Sequence, residues 1–281
     1  MVTAWRPTCL ASGAEKSSTA DRSATARPPL GDIVHSSPAF TAETGTATIF
    51  VGANDGMLHA FNAATGRELF AYVPSANLIP DDKLRLLADP TYNHRFYVDG
   101  PVTVSTRAKT PGKTLLVGTL GRGGRGLFGL DVTSPTTFGA SNVKWEASPA
   151  SAPSGWTADD RSDLGMILNK PLIVRTNARD GNGNNAALLP AVAIFGNGIN
   201  SASGKGALFI VDAETGVKVR KLELPAATAG GNGITSIQAW DEDGDGLHDF
   251  VFAGDLKGNV WKFDLNYGDQ SKWNLADGGY D

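Results

Sequence analysis

The 281-residue sequence is poor in cysteine, in charge and in long apolar runs. Its single cysteine, Cys9, can form neither an internal disulfide nor a cysteine-rich metal site, and it says nothing about the redox compartment. Charged residues make up 19% of the chain, the formal net charge is -4, and no block of Lys and Arg occurs. This argues against nucleic acid or an acidic membrane surface as the main partner. No run of about 18 apolar residues exists, so no membrane-spanning segment is predicted.

Glycine, in contrast, is abundant: the chain has 34 Gly and 15 Pro, with 41% hydrophobic residues. This composition favours a sizeable core built from many short strands joined by tight turns. Residues 1–30 are rich in Ala, Ser, Thr and Arg and lack the apolar core of a secretion signal. We predict a disordered segment there, in a chain that is either not exported or a fragment or mis-started form of an exported protein.

A five-residue block occurs four times in the sequence. Its five positions hold, in order, Leu or Val, an aromatic residue or His, any residue, an apolar residue, and Asp or Asn. Its copies are Leu58–Asn62, Leu127–Asp131, Leu208–Asp212 and Val260–Asp264. Each follows a short apolar strand that ends in Gly, namely Ile49–Gly52, Leu115–Gly118, Ala193–Gly196 and Phe250–Gly254. A strand is predicted before each pair, three of them near Pro38, Pro101 and Pro171 and the fourth over Ile234–Trp240. A further strand is predicted after each block. It covers Glu68–Tyr72 in the first unit and Lys218–Leu222 in the third, and Trp145 and Trp273 mark it in the second and fourth units.

Each unit is therefore predicted to be a meander of four antiparallel strands. Such a sheet cannot bury both faces alone, and radial packing of repeated sheets solves this problem in a β-propeller. The fold class is all-β, with four blades visible in a ring that is incomplete or open, spanning residues 31–281. The glycines that end the second strands are expected to allow close backbone approach.

Within the fourth unit, residues 241–249 read D-x-D-G-D-G-x-x-D, the front part of an EF-hand-like calcium loop. Calcium takes about six to eight oxygen ligands. The loop offers carboxylates from Asp241, Asp243 and Asp245, the backbone carbonyl of Leu247, and the carboxylate of Asp249. These five residues are the predicted metal ligands, and Ca²⁺ is the predicted ion.

The pattern departs from the EF-hand at position 12, where Phe252 replaces the bidentate Glu, and a strand rather than a helix follows. Asp249 is expected to take over the bidentate role, with water completing the shell. A plain acidic surface turn is the alternative. Mutual repulsion of four close carboxylates favours a bound cation. Calcium is preferred over magnesium because the cage is flexible and all-oxygen, and zinc is disfavoured by the lack of Cys or paired His.

Other motifs are predicted to be structural. Gly121–Gly126 matches G-x-G-x-x-G but precedes a strand, which favours a solvated turn over a dinucleotide site. His59 fills a repeat position otherwise held by Phe or Trp and is expected to pack within a blade. The six Trp residues are likewise assigned to packing. Residues 80–88 predict a short helix and residues 147–163 an exposed loop.

Several segments resemble the C-terminal domain of PilC/PilY-type pilus-associated proteins, in matching order. They are Arg27–Pro38, Phe50–Asn62, Tyr97–Pro101 and Asp255–Leu265. The resemblance covers about residues 27–275. It implies a modified β-propeller with a calcium loop in one blade, carried by a secreted protein at or near the tip of type IV pili. It also implies a role in pilus extension and attachment, in which calcium loading opposes retraction, with pilus components and surfaces as partners. Compared with this family, the sequence is expected to lack the long N-terminal region that such proteins usually carry.

Two alternatives remain open from the sequence. A generic extracellular adhesion propeller of the integrin type would use similar loops, although it repeats them in several blades and this chain has one. A quinoprotein dehydrogenase would share Trp-marked blades and calcium, although such enzymes typically carry a vicinal Cys pair. The sequence favours a protein without catalytic activity.

Overall fold

The computed structural model describes residues 30–77, 83–179 and 187–276. Within these ranges the chain forms sixteen β-strands, the helix α1 (Ala158–Asp163) and several short 3₁₀ turns. The strands are β1 (Ala39–Thr41), β2 (Thr48–Gly52), β3 (Leu58–Asn62), β4 (Glu68–Tyr72), β5 (Val102–Val104), β6 (Leu115–Thr119), β7 (Leu127–Asp131), β8 (Val143–Ala147), β9 (Leu172–Val174), β10 (Val192–Gly196), β11 (Ala207–Asp212), β12 (Lys218–Glu223), β13 (Ile234–Trp240), β14 (Phe250–Asp255), β15 (Val260–Asp264) and β16 (Asn274–Leu275).

The strands form four sheets, and each sheet is an antiparallel meander of four consecutive strands. Sheet 1 contains β1–β4, sheet 2 β5–β8, sheet 3 β9–β12 and sheet 4 β13–β16. The repeated block forms the third strand of every sheet, as predicted. Trp145 lies in β8, whereas Trp273 lies directly before β16, buried, with its indole N–H donating to the Tyr267 carbonyl at 2.7 Å.

Alternation along the strands builds the core between neighbouring sheets. In β10, Val192 and Ile194 pack in a cluster shared with sheet 4, while Ala193 and Phe195 pack in a cluster shared with sheet 2. This follows because successive side chains of a strand point to opposite faces. Three such clusters join sheet 1 to sheet 2, sheet 2 to sheet 3, and sheet 3 to sheet 4.

Sheets 1 and 4 each leave one face uncovered by any other described sheet. Trp240 and Val260 on sheet 4 are 57% and 63% exposed, and Phe40 on sheet 1 is 62% exposed. In the part of the chain that the structure describes, no hydrophobic cluster joins sheet 4 to sheet 1. The sheets therefore do not close into a ring, which confirms the predicted incomplete or open propeller.

Two of the four glycines that end the predicted second strands lie against neighbouring backbone. A Cβ added to Gly52 would lie 2.3 Å from the carbonyl oxygen of Val98, and one added to Gly196 would lie 2.6 Å from that of Ile234. Gly118 and Gly254 instead lie against the side chains of Phe128 and Ser236, so the close backbone approach is found in sheets 1 and 3.

The prediction of an exposed loop over residues 147–163 is wrong for its second half. Trp156 is buried and stacks on Phe209 at 5.1 Å between ring centroids, and α1 follows it. A capping box between Thr157 and Asp160 starts the helix. The helix persists because Lys221 holds its two buried carboxylates, from Asp160 and Asp163, at 3.2 and 2.6 Å.

The remaining predictions about individual segments have different outcomes. The Gly-rich motif does lead into a strand, but a 3₁₀ turn over Gly121–Gly123 buries both of its glycines, so this part is not solvated. Lys83–Ala88 forms a 3₁₀ helix, while residues 80–82 lie outside the described residues, as do residues 1–29 of the predicted disordered segment. Among the described residues, no helix has the length and apolar character that a bilayer crossing requires.

Candidate metal centre

The acidic loop connects the first two strands of sheet 4. β13 ends at Trp240 and β14 begins at Phe250, and these two residues are paired across the hairpin. The amide of Asp249 donates to the Trp240 carbonyl at 2.9 Å, which closes the base of the loop. The nine acidic-loop residues 241–249 are therefore held at both ends by a regular antiparallel ladder.

Asp241 organises the turn inside the loop. Its two carboxylate oxygens accept hydrogen bonds from the amides of Gly244 (2.7 Å) and Gly246 (2.9 Å). Both glycines have positive φ, at 78° and 86°, a conformation that side-chain-bearing residues rarely adopt. The D-G-D-G sequence thus wraps the backbone around the first aspartate, which is the reason for glycine at these two positions.

Three of the predicted ligands converge. Asp241, Asp243 and Asp249 each offer a carboxylate oxygen, and these oxygens lie within 4.8 Å of one another. Asp249 is buried, Asp241 is half-buried and Asp243 is exposed. One oxygen of Asp249 also accepts from the Glu242 amide at 2.8 Å. An all-oxygen, negatively charged set of this kind suits a hard divalent cation such as calcium.

The fourth predicted carboxylate ligand, Asp245, is not part of this convergent group. The carboxylate of Asp245 is exposed and accepts from the amide of Leu247 at 2.7 Å, while its own amide donates to Asp243 at 3.1 Å. Asp245 is thus engaged in a local turn at the surface of the loop. The metal-ligand roles of Asp245 and of the Leu247 carbonyl stay predictions.

The eighth loop residue points toward sheet 3. The His248 amide donates to the carbonyl of Arg175 at 2.8 Å, and His248 Nδ1 lies 3.3 Å from the same oxygen. Arg175 directly follows β9 of sheet 3. A second contact between the two sheets lies nearby: Gln270 Nε2, from the β15–β16 connection, donates to the carbonyl of Arg179 at 3.0 Å. The acidic loop is therefore tied to the neighbouring sheet as well as to its own strands.

A second carboxylate of sheet 4, which sequence reasoning missed, supports the β14–β15 turn. Asp255 accepts from the side chains of Asn232 (3.0 Å), Asn259 (2.9 Å) and Trp261 (3.0 Å), and from the amides of Lys257 and Asn259. Burial opposes its ionisation, but these donors outweigh burial and hold the pKa of Asp255 at about 2. The sequence signal for this network is the position of Asp255 six residues before Trp261, whose indole N–H is a hydrogen-bond donor.

An open arrangement of four-stranded antiparallel blades, with a carboxylate loop in the fourth blade, defines a β-propeller protein with a candidate cation site. Residues 24–279 match the family model described as the PilY1 beta-propeller domain, and the chain belongs to this family.

The relatives carry the same name. A type IV pilus biogenesis factor PilY1 homolog from Xylella fastidiosa is 44% identical over 244 residues, which is 83% of this chain and 15% of the relative. The type IV pilus biogenesis factor PilY1 of Pseudomonas aeruginosa UCBPP-PA14 is 34% identical over 265 residues, or 84% of this chain and 21% of the relative. The chain thus spans about a fifth or less of these curated relatives.

A solved structure is also similar. The crystal structure of the Pseudomonas aeruginosa PilY1 C-terminal domain superposes with a TM-score of 0.60 at 34% identity, covering 83% of this chain and 45% of that one. The family expected from the residue motifs is therefore confirmed by sequence and by fold.

Proposed function

We propose that this chain is the calcium-binding β-propeller part of a type IV pilus-associated protein. In this proposal it supports pilus biogenesis, in the balance of extension and retraction, and surface adhesion, and it acts without catalysis. The observation that carries the proposal is the convergence of three aspartate oxygens within 4.8 Å in one blade of a PilY1-family propeller.

The loop has the properties that a calcium site needs. Asp241, Asp243 and Asp249 would hold the ion, the Leu247 carbonyl would add a fourth oxygen, and Asp245 would turn inward from its surface position. The local turn of Asp245 is exposed, so this change breaks no buried contact. Bound calcium would neutralise carboxylates that otherwise repel one another.

Ion binding would act on more than the loop. A cation gripped by residues at both ends of the β13–β14 connection resists fraying of that hairpin. The backbone bond from His248 to Arg175 extends this effect to sheet 3. Calcium would then stiffen the boundary between two blades, which gives a partner a surface that depends on the ion.

Location and partners follow from the family. Pilus components, including minor pilins, are the proposed partners, together with host or abiotic surfaces, and the proposed location is the cell surface or pilus tip. The names of the relatives, type IV pilus biogenesis factors, support this assignment. The low overall charge fits a role that does not involve nucleic acid.

Calorimetric titration of the purified chain with calcium tests the binding. We expect one bound ion, weaker binding of magnesium, and at least about a tenfold loss of affinity in Asp243→Asn. The matched control is Glu242→Gln, which removes the same charge from an adjacent exposed residue whose side chain lies outside the convergent group. No heat of binding, or equal losses in the two variants, would reject the calcium site.

The biological role needs a test in the native host. The same two variants are introduced into the full-length gene, and surface pili and surface attachment are scored. We expect fewer surface pili and weaker attachment with Asp243→Asn, because retraction would no longer be opposed, and unchanged behaviour with Glu242→Gln. Normal piliation in a strain whose protein no longer binds calcium would separate the site from pilus biogenesis.

A further inference from the structure

A histidine on sheet 1 lies between two carboxylates. His59, in β3, is 4% exposed. Its Nδ1 lies 2.6 Å from Glu68 Oε1, and its Nε2 lies 3.0 Å from Asp55 Oδ2. The ring also stacks on Phe61, with 5.9 Å between centroids. The sequence predicted that His59 packs within a blade. The fold shows that it also contacts two carboxylates, which the sequence did not predict.

This arrangement calls for a doubly protonated ring. A neutral imidazole has one N–H donor and one acceptor nitrogen, whereas the imidazolium donates from both. With both carboxylates ionised, only the imidazolium satisfies the two contacts, and a neutral ring would set a lone pair against Asp55 or Glu68. The contact to Glu68, at 2.6 Å, is shorter than the contact to Asp55, at 3.0 Å, so a neutral ring that keeps its N–H on Glu68 turns its lone pair toward Asp55.

Asp55 connects this histidine to the start of the described chain, the leading segment (residues 30–37). Asp55 Oδ2 accepts the amide of Gly31 at 2.9 Å, and Asp55 Oδ1 accepts that of Met57 at 3.1 Å. The Asn54 amide donates to the Asp32 carbonyl at 3.0 Å, and the Gly52 amide donates to the hydroxyl of Ser36. The leading segment is thus fastened to sheet 1 by polar contacts, while its Ile33 and Val34 are exposed.

Sheet 4 contains a related contact without a titratable ring. Asp255, the last residue of β14, accepts the indole N–H of Trp261 at 3.0 Å, whereas in sheet 1 the turn residue Asp55 accepts from His59. Both rings stand at the second position of the third strand of their sheet. Indole nitrogen donates at any physiological pH, whereas imidazole loses one of its two donors as pH rises.

The charged groups around His59 are few. β4 contributes Glu68 and the β2–β3 turn contributes Asp55, while β2 places the apolar Val51 opposite the histidine. The leading segment has two titratable contacts of its own: Asp32 lies 2.9 Å from His94, and His35 Nδ1 lies 2.7 Å from Asp99. In the described part of the chain, no Lys or Arg forms an ion pair with Asp55 or Glu68.

We propose that His59 is a proton-operated clamp, which in its charged form holds Asp55 and Glu68 together and fixes the leading segment on sheet 1, and which loosens that segment when it loses its proton. Because the leading segment lies against the β2–β3 turn with Ile33 and Val34 exposed, pH would change the surface that it presents there to a neighbouring protein. The inference is independent of calcium.

The direction of the effect follows from linkage. Burial alone would lower the pKa of His59, but the two carboxylates outweigh it and raise the pKa above 6.5. A group whose pKa is raised on folding stabilises the fold fully below its unfolded pKa, and this stabilisation is lost as pH rises through the folded pKa. The clamp is therefore closed in mildly acidic medium and opens toward alkaline pH.

Hydrogen exchange measured by mass spectrometry, from about pH 6 to about pH 9 and corrected for intrinsic exchange, tests the proposal. In the wild-type chain we expect a several-fold loss of protection in peptides covering residues 30–38, and no loss in β11. His59→Trp, which copies the indole donor of sheet 4, should abolish the pH-dependent part. His35→Gln and His94→Gln remove the other two histidine contacts of the leading segment, to Asp99 and Asp32, and the part of the pH dependence that His59→Trp abolishes should survive in both variants. Equal pH dependence in wild type and His59→Trp would overturn the clamp.

NMR titration of the wild-type imidazole signals keeps the proposal testable if His59→Trp does not fold. The chain has four histidines, and His59→Gln assigns the signal of interest. We expect its midpoint above the ordinary histidine value of about 6.5. A midpoint at or below that value would overturn the proposal.

Discussion

Sheets 3 and 4 have the same strand order, but different forces hold them. Every residue of β10 is buried, and β11 is buried up to its last residue, since sheet 3 packs against apolar clusters on both faces. In sheet 4, only two of the seven residues of β13 are buried, Ile234 and Ala239, and Trp240 and Val260 face solvent. Sheet 4 compensates with polar structure, namely the Asp255 hydrogen-bond network and the acidic loop. A repeated strand pattern therefore does not imply a repeated source of stability.

The largest expected effect tests the apolar side of this comparison. Phe209 is fully buried in sheet 3, where its ring stacks on those of Trp156 and Phe195 with 5.1 and 5.4 Å between centroids. Phe209→Ala should lower the free energy of unfolding by about 3–5 kcal/mol, because it leaves a cavity in a closed core. The control is Phe252→Ala on the open face of sheet 4, which should cost less than half as much. Denaturant titration measures both, and equal losses would contradict the comparison.

Calcium should act on sheet 4 and spare the interior of sheet 3. At a hundredfold excess over Kd, binding adds about 2.7 kcal/mol to the free energy of any opening that releases the ion, and conditions under which exchange occurs through local opening separate the sheets. Hydrogen exchange should slow in β13 and β14 and remain unchanged in β10 and β11. Asp249→Asn should remove this local effect. Uniform protection across all four sheets would show that the ion is not a local support of the open blade.

The Asp255 network gives the next effect in size. Asp255→Asn should cost about 1.5–3 kcal/mol, since it weakens several hydrogen bonds to an ionised acceptor. The pKa of Asp255 is depressed from 3.8 to about 2, so its contribution is present above about pH 4 and disappears as pH falls toward 2. The wild type and the variant should therefore converge in acid. A stability difference that persists at about pH 2 would rule out ionisation as its cause.

The smallest effect is expected on the open face of sheet 4. Trp240→Ser and Val260→Thr replace side chains that are more than half exposed, so each should change the free energy of unfolding by no more than about 0.5 kcal/mol. Thermal and denaturant unfolding measure this directly. A loss of several kcal/mol would mean that this face is covered in solution.

Much of the fold was predictable because it is written in local, repeated patterns. The block Leu58–Asn62 and its copies mark the third strand of each sheet, and alternation within a strand assigns its two faces without knowledge of the neighbours. The acidic loop was equally local, since the spacing of Asp and Gly over residues 241–249 predicts a turn of the chain around a carboxylate cluster. The family followed from the same short motifs.

What sequence reasoning missed depends on distant partners. The helix α1 is six residues long, too short for a periodic signal, and its buried carboxylates are satisfied by Lys218 and Lys221, which lie far along the chain. The position of Asp245 outside the convergent group depends on the local turn that the backbone adopts. The charged state of His59 depends on Glu68, a residue of the next strand.

The sequence by itself determined the number of visible blades, their strand order and the acidic loop, because period-2 alternation, turn glycines and ligand spacing act over a few residues. Only the tertiary structure decided which blade faces are closed, which aspartates converge, and that a histidine and a tryptophan at equivalent positions perform one task with different chemistry. These depend on burial and on contacts between distant segments, and a linear pattern specifies neither.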